Sequence, residues 1–418
     1  MLGCKKRKPT YAAIRVYLFP DLSNTMTPKQ FVIRFISATL LLLVVIGLFN
    51  RIVDPFWYFQ DIEIKGFNAV KLEFRNYERH IKPHWLVRDQ PEAIILGNSF
   101  SEIGFDPNNA FFTDHGRLKG MNYAFAGAPW DMVQCQFEFA VTHAPIKRAL
   151  IGFHPDNLPV ANCAKDFALI GQINLGELLL SIPSLRSSIE TIRNQKYGKP
   201  SHTREGMYFY NRDRNQVDYN FGADYQRLLK YKPKCSNAIN TPDIPFNSVA
   251  ESTLDLSGLR KMIRTAKEHG VELVLFAYPH HAYNEEWDRQ CGEEVAHWHP
   301  MKQIVKLIEA EATPDQVRAW QFYGYNDITA ELIGTTAKYW QDPRHFNFEV
   351  GNMMLADMFN ETLNKPEFGR PLVSKNIEAD YQDLLQERAE YLQNHPKFYE
   401  ELKKIQNICP KHNNVCKI

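Results

Sequence analysis

A chain of 418 residues has room for one large domain or two of ordinary size. Its 44% hydrophobic and 23% charged residues exclude a disordered chain. A formal net charge of +1 gives no electrostatic footing for nucleic acid as a partner.

Residues 1–30 carry Lys5, Lys6, Arg7, Lys8, Arg15 and Lys29, and read as a basic tail. The run Phe31–Phe49 follows with a single charge, Arg34, near its start. About 20 apolar residues suffice to cross a bilayer core, so residues 31–50 read as a transmembrane helix. The positive-inside rule places residues 1–30 in the cytoplasm and everything beyond about residue 50 outside. In a bacterium that outside is the periplasmic face of the inner membrane. A cleaved signal peptide fits less well, because the n-region is long and no A-x-A-like site follows Phe49. Residues 51–90 read as a juxtamembrane linker, with Phe56, Trp57, Tyr58 and Phe59 suited to the membrane interface.

Alternating elements then argue for a parallel sheet with helices on both faces. Strands are expected at Ala93–Gly97, Met121–Gly127, Arg148–Phe153, Glu272–Tyr278 and Val317–Tyr323. Helical spacing covers residues 130–143, 254–269 and 294–311. Residues 155–250 are too long for a simple crossover. They read as an inserted subdomain or lid, with a helix near 174–196. An α/β domain over 91–370 is followed by a helical C-terminal tail, 371–418.

Outside the membrane lie Cys135, Cys163, Cys235, Cys291, Cys409 and Cys416, while Cys4 stays inside. Six cysteines in an oxidising compartment allow up to three disulfides. Cys409–Cys416 is the favoured pair, since the two are close in sequence in a Pro/Asn-containing tail. No CxxC spacing suggests zinc, and His297-x-His299 would point to different faces of a helix. No metal or cofactor is expected.

The chemistry concentrates at two points. Ala93–Leu96 is an apolar run that ends in Gly97-Asn98-Ser99, which turns a serine out at the carboxyl edge of the sheet, where such sheets bind ligands. A serine hydroxyl needs an imidazole to activate it, and the imidazole needs an orienting partner. Asp342 and His345, three apart after the last strand, can supply both. Alone, Ser99 reads as a helix cap and Asp342 as the cap of the last helix; together and in this order they read as a catalytic set. Oxyanion donors would be the Ser99 N–H, the Gly127 N–H and the Asn157 amide. Asn122 and His280 are further candidates for the substrate site on the same edge.

Gly97-Asn98-Ser99, Gly127 and Asp342-x-x-His345, in this order, resemble the SGNH (GDSL-like) hydrolase superfamily. The stretches IILGNSFSEIGFDP and YWQDPRHFNFEVGNMMLADMF are similar to membrane-anchored members from bacterial surface-polysaccharide systems. The first block reads GNSF where the superfamily has GDSL, and Gly152–Asn157 lacks a clean GxND. The resemblance implies a flavodoxin-like α/β/α domain, a Ser-His-Asp triad and ester chemistry. It also implies a polysaccharide substrate and an inner-membrane O-acyltransferase as partner. The expected function is O-acetyl transfer to, or removal from, a surface polysaccharide. A periplasmic esterase for a small ester, or a non-catalytic scaffold subunit, are the alternatives.

Overall fold

The computed structural model describes residues 27–155, 158–161, 163, 173–196, 198, 200–209, 243–248, 253–290, 294–332, 338–360 and 368–407. Its centre is a six-stranded sheet in the order β2-β1-β3-β4-β5-β6. These are β1 (Ala93–Leu96), β2 (Gly120–Asn122), β3 (Arg148–Phe153), β4 (Glu272–Ala277), β5 (Val317–Gln321) and β6 (Arg370–Pro371). The first five strands run parallel, with Ala93 opposite Arg148 and Arg148 opposite Glu272. The two-residue β6 closes the edge antiparallel to β5, and its proline is tolerated because the strand is an edge. Every residue of β1 is buried, as expected where helices cover both faces and strands read as continuous apolar runs. The order reverses beside β1: the chain moves out to β2, then returns across β1 to β3. Such switch points leave a crevice at the strands' carboxyl ends.

The expected second strand is shorter than Met121–Gly127. Beyond Asn122, Tyr123 N–H still donates to Ile95 O at 2.8 Å, and Phe125 N–H donates to Gly97 O at 3.2 Å. The segment therefore stays beside β1 until β1 itself turns into a helix.

The helices are α1 (Pro28–Val53), α2 (Phe74–Asp89), α3 (Ser99–Gly104), α4 (Trp130–His143), α5 (Leu175–Leu180), α6 (Ile182–Asn194), α7 (Ser257–Glu268), α8 (Ala282–Gln290), α9 (Glu294–Glu311), α10 (Phe348–Phe359), α11 (Ile377–Asn394) and α12 (Pro396–Asn407). Helices α4, α7 and α9 pack side by side against the sheet, while α3 packs on β1 and β3 together with α10. That separation follows from right-handed crossovers, since the β1–β2 connection runs opposite to the later ones.

Helix α1 opens at Thr27 with a capping box to Gln30 and Pro28 in its first turn. It is long and apolar enough to cross a membrane, and none of its apolar window is buried inside the fold. Residues 51–90 are not a linker. They contain α2 and bury Phe56, Trp57, Phe74, Ile81, Trp85 and Leu86 in the core. The Phe74 and Trp85 rings stack within it, 4.6 Å apart, and Lys82 of α2 ties it to the domain by donating to Ala124 O. The helix expected at 174–196 breaks at Ser181, whose hydroxyl caps α6 by accepting from Ser184 N–H while Pro183 sits in the first turn. Within the expected lid, α5 and α6 pack on α1. The tail is likewise part of the body: Tyr381 and Leu384 of α11 are buried, with Tyr381 against Trp298 of α9. A disulfide joins Cys135 of α4 to Cys163. The favoured Cys409–Cys416 pair, like Cys4, Cys235 and Cys291, lies outside the described residues.

A buried charge network ties α2 to α3. Glu102 of α3 and Lys82 of α2 are both fully buried and 3.1 Å apart. Arg75 reaches the same carboxylate at 2.7 Å, and His202 Nε2 lies 3.2 Å from it. The Lys82 ammonium also donates to Ala124 O at 2.6 Å. Burial alone would raise the Glu102 carboxyl, but Lys82 and the His202 hydrogen bond outweigh it and hold the group well below the usual range. A depressed carboxylate contributes stability above its unfolded pKa and loses it as pH falls through the folded value. Lys82→Met removes the fully buried partner of Glu102 and leaves Arg75 as its cation; breaking a buried pair costs up to about 3–5 kcal/mol. The expected result is a lower unfolding midpoint for the detergent-solubilised variant at neutral pH, with the deficit shrinking as acid protonates Glu102. An unchanged midpoint would show that the pair does not hold α2 to α3.

Candidate active site

The serine is set by a pinned turn. β1 ends at Gly97, and Asn98 caps α3 by accepting Phe100 N–H on its side-chain oxygen at 3.0 Å. Ser99 is thereby the first residue of α3, half-buried at the carboxyl edge of the sheet. Gly97 has φ of +137°, a region that side chains other than hydrogen disfavour. A Cβ there would lie 2.2 Å from the Tyr278 hydroxyl, and one at Gly152 would lie 2.3 Å from the Tyr278 ring. Two glycines on neighbouring strands thus leave room for one tyrosine. Its hydroxyl accepts Asn98 N–H at 3.1 Å and shares a hydrogen bond with Ser101 Oγ at 3.0 Å. Burial pushes the Tyr278 phenol up, so it stays neutral.

The imidazole arrives on a small hairpin. An antiparallel bridge joins Trp340 to Phe346, with Gln341 N–H donating to His345 O and Asn347 N–H to Tyr339 O, each at 2.8 Å. At the tip, Asp342 Oδ1 accepts the N–H groups of Arg344 and His345, both at 2.9 Å. Its Oδ2 accepts from His345 Nδ1 at 2.8 Å. With Nδ1 donating, Nε2 is the acceptor for the Ser99 hydroxyl, 2.8 Å away. Burial would raise the Asp342 carboxyl, but the His345 hydrogen bond and charge and the two backbone donors hold it below the ordinary value. It is a carboxylate, fit to orient an imidazole and to stabilise an imidazolium. Asn347, not Asp342, caps α10, accepting from Glu349 and Val350 N–H.

Hairpin and serine meet because α3 and α10 touch backbone to backbone. A Cβ on Gly351 of α10 would fall 1.7 Å from Gly104 O of α3, and a Cβ on Gly104 would fall 2.1 Å from the Phe346 ring. The Phe100 ring lies 4.8 Å from both the His345 and the Tyr278 rings. The imidazole is thus packed on one side and hydrogen-bonded at both nitrogens.

Other expected residues divide. Asn122 is not on the substrate face: it is fully buried, its amide nitrogen donates to Ser101 and Phe105 carbonyls at 3.0 Å, and its oxygen accepts Ala124 N–H. Saturated in this way, it braces α3 from behind. Gly127 sits exposed in a left-handed turn, φ +60°, two residues past the Phe125–Gly97 hydrogen bond. Asn157 lies outside the described residues. His280, at the end of β4, has Nδ1 3.0 Å from Glu285 Oε1 and its ring 6.2 Å from that of His154. His154 and Tyr278 were not singled out from sequence. Asn98 Oδ1 is occupied by Phe100, so its Nδ2 is the donor to His154 Nε2, 3.3 Å away. The signal available for both was position alone, since each directly follows a strand's apolar run.

Glu78, Glu102 and His202 come close enough to hold a metal ion. The Lys82 ammonium and the Arg75 guanidinium already contact Glu102 there, so the cation's place is filled by side chains.

The α3–α10 crossing generates a test that touches no catalytic atom. Gly351→Ala must push α10 off α3, and a displacement near 1 Å can cost about 100-fold in rate. Reactivity of Ser99 toward a fluorophosphonate should fall by that order while the far-UV dichroism is retained. Unchanged reactivity would show that the crossing does not set the Ser99–His345 distance.

No family model matches the chain, and no curated protein matches it, so the case for its chemistry rests on the geometry of Ser99, His345 and Asp342.

Proposed function

We propose that the protein is a membrane-anchored serine acyl-transfer enzyme whose domain faces the outside of a bacterial inner membrane. One observation carries this reading: an unbroken hydrogen-bonded line from Ser99 Oγ through His345 to Asp342, each link 2.8 Å, at the carboxyl edge of the sheet. The strand order 2-1-3-4-5 is the flavodoxin-like order, which supports the SGNH-like reading. The basic tail favours a cytoplasmic N-terminus, and a disulfide at Cys135–Cys163 favours an oxidising compartment for the domain.

The step is double displacement. Ser99 Oγ attacks the carbonyl carbon of an ester while its proton passes to His345 Nε2. The tetrahedral intermediate collapses, the bond to the leaving oxygen breaks, and that oxygen takes the proton from Nε2. An acceptor hydroxyl then gives its proton to Nε2 and attacks the acyl-serine; the bond to Ser99 Oγ breaks, and Oγ takes the proton back from Nε2. Asp342 stays ionised throughout. The Ser99 and Gly127 N–H groups are the proposed oxyanion donors, each worth about 3 kcal/mol. A sugar hydroxyl as acceptor makes the enzyme an O-acetyltransferase of a surface polysaccharide, with a membrane O-acyltransferase supplying the acyl group. Water as acceptor makes it an esterase.

A fluorophosphonate should label the wild type and not Ser99→Ala. Asp342→Asn should lower ester turnover by about 10⁴-fold without unfolding, because the imidazole is then held in the wrong tautomer. Equal labelling of wild type and Ser99→Ala, or none of either, would leave only a scaffold role. Product analysis with a polysaccharide acceptor separates transfer from hydrolysis.

A further inference from the structure

Helix α6 is turned the wrong way for a helix in water. Its buried residues are Ser184, Ser188 and Thr191, all small and polar. Its outward side carries Ile182, 82% exposed, and Ile189, 37% exposed. Arg186 and Arg193 are exposed at the intervening positions, and Arg193 pairs with Glu190. Positions 182, 186, 189 and 193 follow helical spacing and share one face. The neighbouring α5 has no buried residue and exposes Leu175 and Leu180. A water-soluble helix buries its apolar stripe; this pair buries hydroxyls and presents isoleucine, leucine and arginine outward, with Glu177 the exposed acid of α5.

Helix α1 accounts for the inversion. Asn50, just past the apolar run of α1, is buried. Its amide donates to Leu179 O at 2.8 Å, and its side-chain oxygen accepts the Ser188 hydroxyl at 2.7 Å. One turn earlier, a Cβ on Gly47 would lie 3.2 Å from Leu180 Cδ2. At about 1.5 Å of rise per residue, Leu180 sits level with the last few ångströms of the apolar run that ends at Phe49. The Ser188 hydroxyl is therefore bonded at the end of α1, that of Ser184 to Glu177 O of α5, and Leu180 brings α5 against the last turn of the apolar run.

We propose that α5 and α6 lie in the outer interface of the same bilayer that α1 crosses. The apolar face, Leu175, Leu180, Ile182 and Ile189, meets the acyl-chain boundary of phospholipids, and Arg186 lies among their headgroups. Helices seated in this way carry apolar residues on one side and basic residues at headgroup level. The proposal rests on the reading of α1 as a membrane span. It adds that the domain is seated on the surface by a second element and does not swing from a tether.

The test uses the full-length chain in vesicles of phosphatidylcholine and phosphatidylglycerol. An environment-sensitive fluorescent amino acid replaces Ile182, Ile189, Leu42 in the middle of α1, or Leu332, an exposed side chain of the sheet domain. Lipids with a nitroxide near the headgroup end of the acyl chain should quench most of the emission at 182 and 189, and lipids labelled deeper should quench at 42. Emission at 332 should be unaffected. Quenching at 42 with none at 182 and 189 overturns the proposal and leaves the membrane span intact. Absence of quenching at 42 overturns the membrane span, and the proposal with it.

Discussion

The close approach of Gly104 and Gly351 is the constraint that brings the Ser99 hydroxyl to the His345 imidazole. Ser99 and His345 belong to elements separated by 246 positions, and nothing in the β-sheet ladder joins them. They meet because α3 and α10 approach until a carbonyl of one occupies the space of a side chain on the other. Close packing makes such a contact specific, since protein interiors respond to changes of a single methyl group. The Phe346 ring laid over Gly104 adds a second constraint on the same element, directly beside His345.

Around that contact, polar groups are spent on holding α3, the short helix that carries the serine. Tyr278 fixes its entry, Asn122 its carbonyls, and the Lys82–Glu102 network its outer side. Buried polar groups need partners, and here nearly every partner belongs to a different element, so α3 is tied to α2, β2 and β4 at once. A six-residue helix has little stability of its own. Its position is therefore a tertiary property, in keeping with the precision that a hydroxyl–imidazole pair demands.

This explains what could be read from the sequence. The runs at 93–97, 148–153 and 272–278 gave strands because parallel strands are buried on both faces and carry no polar alternation. The helical patterns near 130–143 and 294–311 correspond to α4 and α9. Ser99, Asp342 and His345 were legible because a serine after a strand and an Asp-x-x-His carry their chemistry in residue type and spacing. Asn122 was misread because an amide at a strand end looks the same whether it faces substrate or braces a helix. Tyr278, Gly104 and Gly351 were invisible for a related reason: their role is a shape relation between distant elements. Residues 51–90 read as a linker because α2 is rich in charge and contains Pro83. Its buried face, Phe74, Ile81, Trp85 and Leu86, is interrupted by Glu78 and Lys82, whose burial depends on ion pairs.

If the acyl-enzyme forms, the triad alone does not decide its fate. Water and a sugar hydroxyl are activated by the same His345 nitrogen, so transfer wins only where the acceptor is held in place. Well-oriented reactants reach effective molarities of about 10⁵–10⁸ M, far above any free concentration of water. The discriminating residues are then those that orient the acceptor, not those that activate the serine. An enzyme seated on the membrane by both α1 and α5–α6 would hold its crevice at a set angle to the surface. That orientation favours an acceptor that is itself confined there, such as a polysaccharide under assembly, over water or a small alcohol arriving from any direction.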